Sequence, residues 1–241
     1  MLVRFLNKLS KQLVKTWQRQ VTPKLSHLLS TLWIGGFVVA ALGLWAFAAI
    51  AEEVLEQETQ VFDTAILQAI ANFHSPLLNQ IMTAITFLGE PLLLTALSVV
   101  FGIILLAQRQ WSMVIILAAG AGGVIGLNFW LKDLFARDRP ALWERIIDVN
   151  YYSFPSGHAM ISLVIYGLIG YWLAVRFRSQ QIPITSITVL LIATIGLSRL
   201  YLGVHWPTDV IAGYAAGLVW LVTCILSREA ITRIRSAQTR N

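Results

Sequence analysis

The sequence predicts an all-α polytopic membrane protein with six transmembrane helices, an amphipathic N-terminal helix and short interfacial helices on the outer side. Of its 241 residues, 57% are hydrophobic and 12% are charged, and this charged share is about half that of a soluble protein. Apolar runs recur at the length of about 20 residues that a helix needs to cross a bilayer. The runs lack the alternation of barrel strands. Helices and closed barrels are the structures that satisfy their backbone in lipid, so the runs predict helices.

The apolar runs define the predicted domain organisation. The run at 81–88 is too short to cross, and we predict an interfacial or re-entrant helix that ends at Gly89-Glu90-Pro91. We predict a basic amphipathic cytoplasmic segment at 1–30, a six-helix membrane domain at 31–226 and a basic cytoplasmic tail at 227–241. The single cysteine excludes a disulfide framework and a cysteine-ligated zinc site. The six predicted spans are 31–51, 90–107, 112–131, 158–175, 183–199 and 209–226.

Residues 2–19 are predicted to form a helix that lies on the membrane surface. At 100° per residue its apolar and basic residues separate onto opposite faces, as in helices that bind an anionic leaflet. A solvated basic tail is the alternative interpretation. The apolar face holds Leu2, Phe5, Leu6, Leu9, Leu13 and Trp17, and the basic face holds Arg4, Lys8, Lys11 and Lys15.

The basic residues predict the orientation in the membrane, because basic loops stay on the cytoplasmic side. With six spans, 13 of the 18 basic residues and one of the twelve acidic residues lie on the side of the two termini. We therefore predict cytoplasmic termini, with the loops near 52–89, 132–157 and 199–208 facing outward. The net charge of +6 then belongs mainly to the cytoplasmic side. It predicts contact with a lipid bilayer and no nucleic-acid partner, and the sequence does not indicate an oligomeric state.

Two of the outer loops contain a candidate binding site for phosphate. Lys132, Arg139 and Arg199 carry positive charge, and the guanidinium fork matches the oxygens of a phosphate group. Ser156 and Gly157 come directly before a long apolar helix, whose first N–H groups have no intrahelical acceptor and attract anions. Gly157 lets the backbone approach an anion closely. These five residues are our predicted phosphate-binding set.

Three further residues predict phosphoryl-transfer chemistry. His205 and Asp209 are four residues apart, and Pro207 predicts a helix start that brings the Asp209 carboxylate back to the imidazole. Such a carboxylate fixes the tautomer of a nucleophilic histidine and stabilises its protonated form. His158 begins another helix and is a candidate general acid. Because no cluster of acidic residues has the spacing of magnesium ligands, we predict no metal and no other cofactor.

At these positions the sequence resembles the type-2 phosphatidic acid phosphatase superfamily. The resemblance rests on Lys-x6-Arg-Pro, Pro-Ser-Gly-His and Ser-Arg-x5-His-x3-Asp, in that order, and no signature position departs from the family pattern. The motifs cover 132–209, and the six-span layout extends the resemblance over about 30–226. It implies that Lys132, Arg139, Ser156, Gly157 and Arg199 bind the phosphoryl group, that His205 forms a phosphohistidine oriented by Asp209, and that His158 protonates the leaving group and later activates water.

Members with six spans are bacterial lipid phosphatases, so the resemblance implies a plasma-membrane enzyme with its active site on the periplasmic side. The implied substrates are phosphatidylglycerol phosphate, phosphatidate or undecaprenyl pyrophosphate. A lipid phosphotransferase using the same phosphohistidine, and a non-catalytic lipid-phosphate carrier, are the alternatives. Soluble phosphatases and vanadate haloperoxidases share the motifs, which therefore do not identify the substrate.

Four residues near the motifs have less specific interpretations. Arg137 and Asp138 fit a solvated local pair at least as well as a catalytic part. The Ser156 hydroxyl is suited to capping its helix, a use compatible with phosphate binding. Glu90, which precedes Pro91, fits a carboxylate at a helix N-terminus, and a role at the site is the alternative interpretation.

Overall fold

A computed structural model describes residues 31–144 and 146–238 of the chain. All of its regular elements in these ranges are helical, and a 3₁₀ turn at Arg178–Gln180 joins the sixth and seventh α-helices. The amphipathic helix predicted at 2–19 lies outside the described residues. The described residues form eight α-helices: α1 (Thr31–Leu55), α2 (Gln60–Ala71), α3 (Pro76–Phe87), α4 (Pro91–Ala107), α5 (Trp111–Phe135), α6 (Gly157–Arg176), α7 (Gln181–Tyr201) and α8 (Pro207–Gln238).

The helices confirm the predicted all-α membrane architecture. Five of the described segments are long and apolar enough to cross a bilayer alone, and α3 with α4 makes a sixth candidate if the pair is counted as one span bent by 45°. The predicted short helix at 81–88 is longer at its start, because Pro76 occupies the first turn and the Ser75 hydroxyl accepts a hydrogen bond from the Leu78 N–H at 3.3 Å. Pro91 begins α4, so the bend falls at residues 88–90.

The predicted spans differ from the observed helices mainly at their ends. Helix α1 continues past residue 51 to Leu55, and a separate helix, α2, follows in the loop predicted to face outward. Helix α8 continues past residue 226, so that 227–238 is helical. The chain divides between Val38 and Val39 into two units, and the site described below lies wholly in the second.

Helix α6 is the central helix of this second unit. It packs against α5, α7 and α8, and its residues Val164, Ile165 and Leu168 are completely buried. Helices α6 and α8 approach closely because small residues face each other: a Cβ at Gly213 would lie 2.7 Å from the Ser156 carbonyl oxygen. The Ser156 N–H donates to the Asp209 carbonyl oxygen at 2.9 Å, which joins the starts of the two helices.

The close approach of α6 and α8 gives a stability prediction. Gly213→Ala forces a methyl group against the backbone of Ser156, and we expect it to destabilise the protein by about 1–3 kcal/mol. Gly102→Ala on α4 is the matched control, because a Cβ there meets no atom within 4 Å. Thermal unfolding in detergent should show a lower Tm for the first variant and an unchanged or higher Tm for the control. Equal Tm values would contradict the packing described.

Candidate active site

Six of the eight predicted site residues line one cavity of about 870 Å³. The cavity lies at the end of the bundle where α5 and α7 finish and α6 and α8 begin. The two remaining residues, Ser156 and Asp209, are fully buried behind this wall. The six lining residues are Lys132, Arg139, Gly157, His158, Arg199 and His205.

Helix ends position the functional side chains. Lys132 and Arg199 lie in the last turns of α5 and α7, and His158 lies in the first turn of α6. His205 lies in the tight connection between α7 and α8, where Gly203 has a φ of +67°. A side chain at Gly203 would be strained by this backbone conformation and would also meet the Trp143 ring, with its Cβ 2.6 Å away.

The His205 imidazole is held by a buried carboxylate. Its Nδ1 lies 3.3 Å from Asp209 Oδ2 and 3.3 Å from the Ser153 hydroxyl oxygen. The Ser153 hydroxyl and the Trp206 N–H, the latter at 2.8 Å, both donate to the same carboxylate oxygen. As predicted, α8 begins at Pro207, and Asp209 lies in its first turn.

The opposite ring nitrogen of His205 faces a cation. An Arg139 Nη1 atom lies 3.2 Å from His205 Nε2. A guanidinium only donates hydrogen bonds, so this contact assigns a lone pair to Nε2 and the ring proton to Nδ1, where Asp209 accepts it. Burial lowers the pKa of His205 well below its ordinary value, and the neighbouring charges of Arg139 and Lys132 lower it further. The neutral imidazole therefore has its unprotonated nitrogen on the cavity side.

The three predicted cations are fixed by uncharged groups. Lys132 donates to the Tyr152 and Ser153 carbonyl oxygens, and the second of these bonds measures 3.4 Å. Arg139 donates to carbonyl oxygens on both loops, including Val204 O at 2.7 Å. Arg199 donates to the Thr86 hydroxyl at 2.7 Å. These bonds orient the side chains and neutralise none of their charge, so the wall of the cavity favours an anion.

The start of α6 adds neutral donors to this wall. Gly157 is the first residue of the helix, and a Cβ there would lie 2.9 Å from the Asn128 side-chain oxygen. The Ser156 hydroxyl makes no capping bond, so the interpretation of Ser156 as a side-chain cap is wrong. Within the described residues, Ser156 Oγ, His158 Nε2 and Arg199 Nε are buried atoms without a hydrogen-bond partner. A phosphate oxygen is an acceptor suited to such donors.

Glu90 lines this cavity, so it lies at the site, which was the alternative to a helix N-terminal role. It precedes α4 but makes no capping bond, and its Oε2 lies 3.4 Å from His158 Nε2, an ion-pair distance without good hydrogen-bond geometry.

Across residues 31–144 and 146–238, no three His, Cys, Asp or Glu side chains come close enough together to hold a metal ion.

Arg137 and Asp63 lie behind the cavity wall. The sequence left Arg137 open between a solvated pair and a catalytic part, and it did not indicate Asp63. The interpretation of Arg137 as part of a solvated pair is wrong, because its side chain is 13% exposed and ion-pairs with Asp209 at 2.7 Å and Asp63 at 2.8 Å. Asp63 is completely buried and lies 74 positions before Arg137 in the chain. No local sequence signal links residues this far apart.

Comparison with known proteins identifies the family. Residues 110–233 match the PAP2 superfamily model. Phosphatidylglycerophosphatase B of Bacillus subtilis is 34% identical over 194 residues, which cover 78% of this chain and 94% of that protein. A crystal structure of a transmembrane PAP2-type phosphatidylglycerolphosphate phosphatase from Bacillus subtilis superposes with a TM-score of 0.75 at 30% identity, covering 80% of this chain and 96% of that one.

A more distant relative has a different substrate in its name. Decaprenylphosphoryl-5-phosphoribose phosphatase of Mycobacterium tuberculosis is 33% identical over 115 residues, covering 46% of this chain and 56% of that protein. Its match covers less of the chain than the match to the Bacillus subtilis protein. The family model, the extended sequence similarity and the superposed fold agree with the motifs read from the sequence: this chain belongs to the PAP2 superfamily, the type-2 phosphatidic acid phosphatases.

Proposed function

We propose that this chain is a membrane lipid phosphatase that works through a phosphohistidine on His205 and needs no metal ion. The observation that carries the proposal is the two-sided environment of this imidazole. Its Nδ1 lies beside Asp209, and its Nε2 lies on the side of a cavity walled by three cations. Holding a neutral histidine between a carboxylate and an anion site is a means of activating a nucleophile, and simple binding of an anion does not need it.

In the first step, His205 Nε2 attacks the phosphorus atom and the bond from phosphorus to the lipid oxygen breaks. His158 gives a proton to that oxygen, so the dephosphorylated lipid leaves as a neutral alcohol, or as the lipid monophosphate when the substrate is a diphosphate. In the second step, water attacks the phosphorus atom while His158 takes up a proton of the water. The bond from phosphorus to His205 Nε2 breaks, which releases inorganic phosphate and returns His205 to its neutral form. Asp209 stabilises the positive charge that His205 carries while it is phosphorylated.

Fixed positive groups lower the barrier of both steps. Charge spreads over the three equatorial oxygens of a transferring phosphoryl group, and catalysis depends mainly on cations already aimed at them. Lys132, Arg139 and Arg199 supply three such charges, and the free N–H groups at Gly157 supply neutral donors. Because carbonyl and hydroxyl oxygens already orient the cations, little reorganisation is needed when the phosphoryl group arrives.

The substrate we propose is a phospholipid monophosphate that enters from the membrane. Apolar residues line the cavity between the helices beside the charged wall, among them Phe87, Phe129 and Ile161. Similarity over 94% of phosphatidylglycerophosphatase B favours phosphatidylglycerol phosphate. Phosphatidate and undecaprenyl pyrophosphate are the remaining candidates from the family resemblance, and an assay of all three lipids distinguishes them.

His205→Ala tests the proposal directly. We expect phosphate release from these three lipids, assayed in detergent with excess EDTA, to fall by at least about 1,000-fold, because the covalent intermediate cannot form. With substrate carrying a ³²P label, the wild-type protein should give an acid-labile and alkali-stable protein adduct after rapid quenching, and the variant should give none.

His205→Asn serves as a second variant if the alanine variant fails to fold. Full activity of a folded variant would overturn the assignment of His205. Label that appears on an added lipid or sugar alcohol in place of inorganic phosphate would identify a phosphotransferase. A wild-type protein that binds all three lipids without releasing phosphate would overturn the enzymatic proposal in favour of a carrier.

The lowered pKa of His205 predicts an unusual pH dependence. Histidine titrates ordinarily at about pH 6.5, and the nucleophile must be neutral. Because its pKa lies below the ordinary value, His205 stays neutral into the acid range, and activity should be lost only at a pH clearly below about 6.5. The measurement is kcat/KM from about pH 4 to about pH 9, with two substrates whose phosphate groups differ in pKa. A loss of kcat/KM at low pH that has the same midpoint with both substrates reports a group on the enzyme. A midpoint at or above about pH 6.5 would contradict the prediction.

We further propose that the site faces the periplasm and that both termini are cytoplasmic, in a bacterial plasma membrane. Arg109 and the 3₁₀ turn with Arg178 lie in the connections α4–α5 and α6–α7, at the ends of these helices away from the cavity. Basic connections of this kind stay in the cytoplasm.

Cysteine labelling tests this orientation. In a Cys224→Ala background, Glu58→Cys lies on the exposed connection beside the site, and Gln108→Cys lies on the exposed α4–α5 connection. A membrane-impermeant maleimide added to intact spheroplasts should label the first variant, and it should label the second only after permeabilisation. The reverse pattern would overturn the orientation and leave the chemistry of the site untouched.

A further inference from the structure

We propose that Asp63 and Arg137 are positioning residues for the reaction, which hold the Asp209 carboxylate so that it keeps His205 aligned and strongly hydrogen-bonded. The inference rests on the proposed function of His205. Neither residue lines the cavity described above. Asp63 also lies outside the span 110–233 that matches the family model.

The Arg137 guanidinium connects two buried carboxylates. One terminal nitrogen donates to Asp209 Oδ1 at 2.7 Å and to the Thr208 hydroxyl at 2.8 Å. The other donates to Asp63 Oδ2 at 2.8 Å and to the Thr59 hydroxyl at 2.9 Å. Because the guanidinium is planar, these four bonds define the direction in which it faces Asp209.

Helix α2 fixes this arrangement from the other side. Asp63 is completely buried, and its second oxygen, Oδ1, accepts the Thr208 N–H at 3.0 Å. The Thr208 hydroxyl also donates to Asp63 Oδ2 at 2.6 Å. Asp63 therefore caps the Thr208 N–H in the first turn of α8, the helix that carries Asp209.

The contacts of Asp209 divide between its two oxygens. Oδ1 binds Arg137. Oδ2 accepts hydrogen bonds from Ser153 and from the Trp206 N–H and lies beside His205 Nδ1. The Arg137 guanidinium also lies 5.5 Å from the centre of the Trp206 ring, which restricts its movement. Holding Oδ1 in this way prevents the carboxylate from rotating away from the imidazole.

The charges explain why a second carboxylate is useful. The buried Asp209 carboxylate needs a cationic partner. If that cation interacted with Asp209 alone, it would neutralise the carboxylate and weaken the hydrogen bond that Asp209 accepts from His205 Nδ1. Asp63 shares the charge of Arg137, so the three groups together carry one net negative charge. His205 otherwise faces cationic or titratable groups on the cavity side, namely Lys132, Arg139, Arg199 and His158. The shared negative charge opposes that field when His205 becomes positive.

Asp63→Asn is the central experiment, because it keeps the shape of the side chain and one acceptor oxygen and removes the charge. We expect kcat for a lipid phosphate to fall about 10-fold to 100-fold, as for residues that orient a catalytic ligand, with KM changed by less than about 2-fold. The acidic limb of the pH profile should move to lower pH, because a negative charge near His205 is lost. Glu58→Gln is the matched control: it removes an equal charge from an exposed position five residues earlier and should change neither quantity.

A double-mutant cycle tests whether Asp63 acts through Asp209. In an Asp209→Asn background, where the carboxylate is already lost, Asp63→Asn should lower kcat by no more than about 2-fold. Arg137→Lys keeps the charge but lacks the fork, so it should give an intermediate kcat with unchanged KM. An equal loss of kcat from Asp63→Asn in both backgrounds, an unmoved acidic limb, or a loss confined to KM would overturn the inference.

Two sets of measurements distinguish a loss of positioning from misfolding and from failure of the proposed function. Thermal unfolding and gel filtration in detergent identify folded variants, and Arg137→Lys replaces Asp63→Asn in the cycle if the latter is misfolded. An inactive wild-type protein, or an active His205→Ala variant, would defeat the proposed function itself. With the wild type active and His205→Ala inactive, the cycle tests the positioning role alone.

Discussion

The constraint on which this site depends is that the Asp209 carboxylate, completely buried, has to be satisfied from every direction. Its own turn provides the Trp206 N–H, the loop between α5 and α6 provides the Ser153 hydroxyl, and Arg137 provides a positive charge. Its main-chain oxygen accepts the N–H of Ser156 at the start of α6. The hydrogen bonds and the ion pair of Asp209 therefore hold three segments together: the segment before α6, the start of α8 and the loop that follows α5. The same contacts bring His205 and His158 to a shared cavity.

A second constraint follows from the membrane. Cationic side chains are costly in hydrocarbon, and here Lys132, Arg139 and Arg199 gather at the ends of helices, where loop carbonyl and hydroxyl oxygens accept their hydrogen bonds. These acceptors compensate the loss of water without supplying a negative charge. The cations keep their attraction for an anion, beside apolar helix faces suited to acyl chains. A lipid phosphate combines both chemistries in one molecule, and this is the physical reason for placing such a site at a membrane surface.

Features encoded locally were predictable from the sequence. The spans follow from composition, and the His205–Asp209 contact follows from a four-residue spacing next to Pro207. The three cations of the cavity wall were recognisable as residue types and from the family motifs. The sequence left the role of Arg137 open because its partner Asp63 lies on α2, and a pairing across 74 positions leaves no periodic or local signal. The bend between α3 and α4 was located by Pro91, but the approach of Glu90 to His158 depends on how α4 packs against α6.

The partners whose contacts the sequence did not predict share one origin. Asp63, Thr86 and Glu90 come from α2, α3 and the bend before α4, all ahead of the span 110–233 that matches the family model. Each contacts a different part of the motif-bearing half: Asp63 reaches Asp209 through Arg137, Thr86 holds Arg199, and Glu90 lies beside His158. The motif residues thus define the kind of chemistry, whereas the first half of the chain supplies the groups that orient them. Because that half also lines the cavity through α3 and α4, substitutions there affect both the alignment of the motif residues and the shape presented to a lipid. The reaction and its selectivity are therefore physically coupled in this fold.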